Sequence, residues 1–293
     1  MPSRRQRQMC IRDRYFIVEA DEYDSAFFDK RSKFIHYFPN ILAINNIEFD
    51  HADIFDDLTP ILKQFSHLLR TIPANGQVVF HENDQTTKHL VDKENWFDVY
   101  SIGNDKQFYY DETKNLFIFN GKEYDLDELP FFGEHNYKNA LMAMCLAYLC
   151  DVPYEESFQA LKNYTGVKRR LEVIFHGNTH LVYDDFAHHP TAIEAVSEAV
   201  KSKHASKMIG IIELASNTMK SGRHGNTLID STKNFDRIYF LDHENTLNDA
   251  NSFSSLEKII DDLKKVICDY ETIIIMTNKD SQIISREIIK LCN

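Results

Sequence analysis

Carboxylates, imidazoles and carboxamides gather at four places in this 293-residue chain, each just after a short apolar run or just before a helical pattern. After Phe16-Ile17-Val18 stand Glu19, Asp21, Glu22 and Asp24; after Ile41–Ile44 stand Asn45, Asn46, Glu48, Asp50, His51 and Asp53. A hard cation such as Mg²⁺ takes oxygen ligands, keeps several waters and shares its shell with phosphate. If the two runs are neighbouring strands, their ends bring carboxylates and an imidazole within reach of one site, and one carboxylate plus one His fits a Mg-nucleotide site; a solvated acidic loop is the plainer meaning of either run alone. The third cluster is Gly133-Glu134-His135-Asn136-Tyr137-Lys138-Asn139, at the start of a helical pattern. Asn136 and Asn139 lie three apart on one helix face. A carboxamide both donates and accepts, which suits a purine edge, although Asn136 is equally a good N-cap. The fourth is Asp184-Asp185-Phe186-Ala187-His188-His189-Pro190. Carboxylates and imidazoles at a strand-to-helix turn suit ribose hydroxyls or a metal, and a helix amino end favours phosphate. Zinc is the weaker alternative, because adjacent histidines on a turn rarely share one ion and no Cys or suitably spaced His stands nearby.

The elements that must position these residues follow from apolar periodicity. Short runs alternate with helical patterns, which predicts an α/β fold with a largely parallel sheet. Strands are expected at Tyr15–Ala20, Ile41–Asn45 and Gln77–Phe80, with a helix over Asp53–Leu69. Asp98–Ile102, Gln107–Asp111 and Leu116–Asn120 read as a meander. Helices follow over Asn136–Leu149 and Tyr154–Tyr164. Thr165-Gly166-Val167-Lys168-Arg169-Arg170 interrupts the pattern, and a second alternation begins, with strands at Leu171–Phe175, His180–Asp184, Met208–Ile212, Arg237–Leu241 and Thr272–Met276 and helices from near Thr191, Ser252 and Ser281. The expected domains are therefore 15–167 and 168–293, the second Rossmann-like but without G-x-G-x-x-G, so no dinucleotide is indicated. Residues 1–14 carry five arginines and one acid and are expected to be a basic leader unrelated to the fold.

The formal net charge of −12 argues against non-specific nucleic-acid binding, which needs a basic face. No uncharged apolar run approaches the ~18 residues of a membrane span. The five cysteines are scattered and odd in number, which reads as reduced thiols in a cytoplasmic protein.

Taken in order, Glu19–Phe34 (EADEYDSAFFDKRSKF), Asn45–Phe55 (NNIEFDHADIF), Gly133–Ala143 (GEHNYKNALMA), Gly166–Glu172 (GVKRRLE) and Asp184–Ile193 (DDFAHHPTAI) resemble the Mur ligase family over essentially Tyr15 to Asn293. Phe27–Phe34 and Ser216-Asn217-Thr218-Met219-Lys220 are similar to the branch that returns a recovered murein tripeptide to UDP-N-acetylmuramate. The resemblance implies a partial central ATPase domain, a mainly parallel sheet with a small meander, followed by a Rossmann-like carboxy-terminal domain. It implies ATP-dependent amide ligation through an acyl phosphate, with UDP-N-acetylmuramate and the tripeptide L-Ala-γ-D-Glu-meso-diaminopimelate as partners. Glu19 and His51 would hold Mg²⁺; His135, Asn136 and Asn139 would line the adenine site; Arg170 would reach the ATP phosphates and Asp185 the ribose. His188, with Ser216, Asn217, Thr218 and Lys220, would face the substrates. The alternatives are the branch that adds L-alanine, a folylpolyglutamate-type ligase, and a non-catalytic remnant or binding module.

Two departures from the family pattern bear on these expectations. No G-x-x-x-x-G-K-[ST] occurs, so this chain is expected to represent the carboxy-terminal two thirds of such an enzyme, to bind ATP poorly and to ligate nothing. Glu213-Leu214-Ala215 stands where the branch has Glu-Pro-Arg, and Thr277-Asn278-Lys279-Asp280 where the family has a glycine-rich turn, which puts the acceptor site in doubt.

Overall fold

The computed structural model describes residues 14–25, 29–49, 55, 57–94, 96–103, 106–216, 219 and 225–293. Two six-stranded sheets follow one another along the chain. In the first, β1 (Ile41–Ile44), β2 (Gln77–His81) and β3 (Asp98–Ile102) are parallel and in consecutive order. Parallel neighbours need a crossover, and α1 (Leu58–Leu69) and α2 (Gln85–Val91) supply the two. Strand parity sorts their side chains. Leu42, Ile44, Val78 and Phe80 face α1 and α2, while Val79 and Ile102 face a second core built on α3 (Glu134–Leu149) and α4 (Tyr154–Lys162). The next polar positions on that second face, just past the apolar runs, are Asn45 and His81.

The meander is shorter than the sequence suggests. β3 is parallel to β2, and it meets β4 (Phe108–Asp111) through one parallel pair, Ile102↔Phe108. Only β4, β5 (Leu116–Phe119) and β6 (Lys122–Asp125) run antiparallel. β6 was not anticipated, although Asn120-Gly121 marks it. Both residues have positive φ, 53° and 80°, as a two-residue type I′ hairpin turn requires.

The second sheet has the order β11-β10-β9-β12-β8-β7: β7 (Glu172–His176), β8 (Leu181–Asp185), β9 (Met208–Glu213), β10 (Arg237–Leu241), β11 (Ser252–Phe253) and β12 (Thr272–Met276). All but β7 are parallel to their neighbours. β9 and β12 are buried at every position, as strands covered on both faces are. α5 (Pro190–Lys203) and α6 (Gly225–Asp230) cover one face and α7 (Leu256–Leu263) and α8 (Gln282–Cys292) the other.

Three expected elements change. Tyr15–Ala20 forms no strand: Phe16 and Ile17 are 71% and 80% exposed, and β1, at the sheet edge, bonds to β2 alone among the described residues. Three apolar residues make no strand without a ladder partner. The helix expected from Asp53 begins at Leu58, where Asp57 caps it by accepting from the Thr59 N–H at 2.7 Å. The segment expected to open a helix at Ser252 is β11, paired to β10, and its helix starts at Leu256.

Candidate functional site

The first site lies where β1 and β2 end against the amino end of α3. Register continues from Ile44↔Phe80, so Asn45 stands beside His81. The Asn45 Nδ2 donates to Asn139 Oδ1 at 2.8 Å, and His81 Nε2 lies 3.1 Å from Asn45 Oδ1. An amide oxygen only accepts, so in this pairing the imidazole donates from its Nε2–H tautomer. Burial pushes the His81 pKa below its ordinary 6.5, and the Lys138 ammonium adds to the effect. One turn earlier, Asn136 Nδ2 donates to the Phe132 carbonyl at 2.8 Å. Gly133 precedes the helix at φ 96°, and a Cβ there would lie 2.6 Å from the Ala199 Cβ on α5, so glycine lets the two units approach. His135 packs at this junction. Its pKa is lowered by burial first and then by the charge of Arg170.

The linker and the end of β8 form the opposite wall. Arg169 and Leu171 sit in the left-handed region, at φ 59° and 49°, and hold exposed Arg170 between them. Asp185 secures the bend: its two oxygens accept from the Leu171 and Ala187 N–H groups, each at 2.7 Å. Desolvation raises the Asp185 pKa, and these two bonds oppose the rise. Arg169 Nε donates to Asp184 at 3.2 Å, and both guanidinium groups lie over the Phe186 ring, at 5.3 and 5.5 Å. His188 Nδ1 is 2.8 Å from the Phe186 carbonyl, so Nδ1 is the donor of that pair. Glu48, from the loop after β1, crosses to this wall. It accepts from Thr191 Oγ1 at 2.9 Å and stands 3.4 Å from His189 Nδ1.

A third group lies at the ends of β9 and β12, whose following helices go to opposite faces of the sheet. Such a reversal opens a crevice at the strand ends. Glu213, buried, accepts from Thr277 Oγ1 at 2.5 Å across it, with Lys279 Nζ 3.7 Å and His243 Nε2 3.8 Å away. Ala215 stands where the resemblance leads one to expect an arginine for a peptide carboxylate; here Lys279 and His243 are held near Glu213 instead.

The structure places His135, Asn136 and Asn139 at the start of α3, and Arg170, Asp185 and His188 on the linker and the turn after β8, with the Arg170 charge acting on His135. Glu19 does not stand at the end of a strand, contrary to the expectation from sequence. Glu19 is exposed on irregular chain, and the neighbouring acids are taken up locally, Asp21 by Tyr23 N–H and Lys33, Asp29 by Arg31. His51, Asn217, Thr218 and Lys220 lie outside the described residues. Ser216 is described, and its Oγ accepts from Met219 N–H at 3.2 Å. Asp185 is 2% exposed with both oxygens engaged, so its place is that of a hinge clamp rather than an open ribose ligand. Among the described residues no three His, Cys, Asp or Glu side chains converge as a metal site. Reasoning from sequence passed over His81 and the reach of Glu48; strand parity pointed to the first, and nothing local pointed to the second.

Two α/β units, joined by a cation-rich linker, bring a carboxamide-bearing helix start next to a strand end that bears carboxylates and imidazoles. The Mur ligase middle domain matches residues 6–147 and the Mur ligase glutamate ligase domain residues 169–286; the chain belongs to the Mur ligase family. It is similar to the UDP-N-acetylmuramate–L-alanyl-γ-D-glutamyl-meso-2,6-diaminoheptandioate ligases of Haemophilus influenzae, 41% identical over 78% of this chain and 52% of the relative, and of Escherichia coli K12, 41% over 78% and 51%. The crystal structure of a murein peptide ligase from Psychrobacter arcticus superposes with a TM-score of 0.70 at 31% identity, over 98% of this chain and 65% of that one. The chain thus spans about half the length of the curated relatives it matches.

Proposed function

We propose that this chain is the nucleotide- and acceptor-binding part of an ATP-dependent ligase that joins the tripeptide L-Ala-γ-D-Glu-meso-diaminopimelate to UDP-N-acetylmuramate. The observation that supports the reading is that the start of α3, which carries Asn136 and Asn139, lies against α5 and the linker: Gly133 approaches Ala199, Arg170 bears on His135, and Glu48 reaches Thr191. The lactyl carboxylate attacks the γ-phosphorus of ATP, ADP leaves, and an acyl phosphate results. The tripeptide amine then attacks the acyl carbon, and phosphate leaves with the C–O electrons.

The protein's own part is to hold the base at Asn136 and Asn139 and to meet phosphate charge with Arg170, a donor fork that stays charged. With Nδ1 donating to the Phe186 carbonyl, the neutral His188 ring carries its lone pair on Nε2, which takes the proton that the attacking amine loses. Mg²⁺ would offset phosphate charge in such a ligation. By the resemblance Glu19 and His51 would hold it; Glu19 is exposed on irregular chain, and His51 lies outside the described residues.

Ligand-observed NMR on the chain with ATP, the tripeptide and L-alanine tests the reading. ATP is expected to bind only weakly, at millimolar concentration, and the tripeptide to bind, with L-alanine far weaker. Preference for L-alanine would move the chain to another branch, and binding of neither ATP nor tripeptide would overturn the proposal.

A further inference from the structure

At the amino end of α3 the two carboxamides are not free to turn. The Asn136 Nδ2 is committed to the Phe132 carbonyl, which can only accept, so Asn136 offers its Oδ1 to a ligand. Asn139 has no such backbone partner; its orientation is tied to that of Asn45, and that of Asn45 to the tautomer of His81. With the proton on Nε2, His81 donates to Asn45 Oδ1, Asn45 Nδ2 donates to Asn139 Oδ1, and the Asn139 amine is left facing outward. Were Nε2 a lone pair, every donor in the chain would reverse and Asn139 would offer an oxygen. His81 is 7% exposed and Asn45 lies next to it in register, so the start of the relay is built into the sheet rather than into a mobile surface.

We infer that His81 is a positioning residue for nucleotide recognition: acting through Asn45, it makes the Asn136–Asn139 pair present one acceptor and one donor to a base. That polarity complements an exocyclic amine beside a ring nitrogen, the N6 and N7 edge of adenine. Asn136 Oδ1 takes the N6–H and Asn139 Nδ2 donates to N7. The inference rests on the nucleotide reading of this junction and adds to it the group that sets the polarity.

The test uses the whole chain and two probes that differ at one atom, AMP and 7-deaza-AMP, titrated at millimolar concentration by NMR. AMP is expected to bind roughly tenfold more tightly, because loss of N7 leaves the fixed Asn139 donor unpaired. His81→Phe and, separately, Asn45→Ala are expected to bring that ratio toward one while 7-deaza-AMP affinity changes little. A purely structural role would weaken both probes alike. His81→Phe removes a buried imidazole, so Asn45→Ala and the ring ¹⁵N shifts of His81 in the unaltered chain carry the test independently of its folding. Those shifts are expected to show the proton on Nε2. An unchanged AMP preference in Asn45→Ala, or a proton on Nδ1 alone, overturns the inference and leaves the nucleotide site standing. Absence of binding by either probe removes the site and the inference together.

Discussion

Burial sets the chemistry of individual side chains here more than ion pairing does. His81 and His135 both have pKa values pulled below 6.5, chiefly by desolvation. A histidine depressed in the folded state is neutral there while the unfolded chain takes up a proton, so its contribution is complete above 6.5 and is lost as pH falls through the folded value. Urea unfolding at pH 7.5 and 5.5 is expected to give a lower midpoint at the acid pH, and replacing His81 by Gln should reduce that difference; an unreduced difference would place the titration elsewhere. Cys145 is another case. It is fully buried and its thiol is pushed up to about 12, whereas Cys268 is exposed. Since the thiolate is the reactive form, mass-mapped alkylation should modify Cys268 in native protein and Cys145 only after unfolding.

Helix starts are where sequence chemistry becomes element geometry. α2 was not anticipated, because seven residues carry too little periodicity, yet its signal is local: Asp84 accepts from the Thr86 and Thr87 N–H groups at 3.0 and 3.1 Å. Asp84→Ala is expected to cost about 1 kcal/mol in equilibrium unfolding, the usual effect of deleting an N-cap acceptor. An unaffected stability would mean that packing of Leu90 and Val91 alone holds α2. Loss of the Tyr15–Ala20 strand teaches the converse. An apolar triplet followed by acids resembles a strand end in sequence, but a strand is a pairing, and the triplet has no ladder here.

The two units meet through small areas of contact at Gly133 and Ala199, at Phe132, and through Glu48. Glu48 joins the loop after β1 to the first turn of α5, so it is a latch between the units, partly exposed and therefore worth only about 0.2–1 kcal/mol. Glu48→Ala is expected to leave global stability nearly unchanged while speeding amide exchange in residues 190–193 and in the Arg169–Leu171 linker. Equal protection there in both proteins would show that the apolar contacts alone hold the junction.

Most of the architecture was legible because its signals are local. β-branched runs, Asn-Gly and capping Asp residues announce strands, hairpins and helix starts from a few neighbours, and the two alternating stretches separated by Gly166 announce two α/β units. Five ordered motifs carried the family likeness for the same reason, since each is contiguous. The candidate site was legible only as a set of residue types. Which atom of Asn139 faces a ligand depends on His81, 58 positions away, through a register between β1 and β2. Whether Glu48 is a ligand or a latch depends on α5, and whether Asp185 is open or clamped depends on a backbone bend at Leu171. Local propensity specifies elements because the forces behind it act within a turn or two; hydrogen-bond polarity and burial at the site arise only when distant elements pack and exclude water, and so belong to the folded chain.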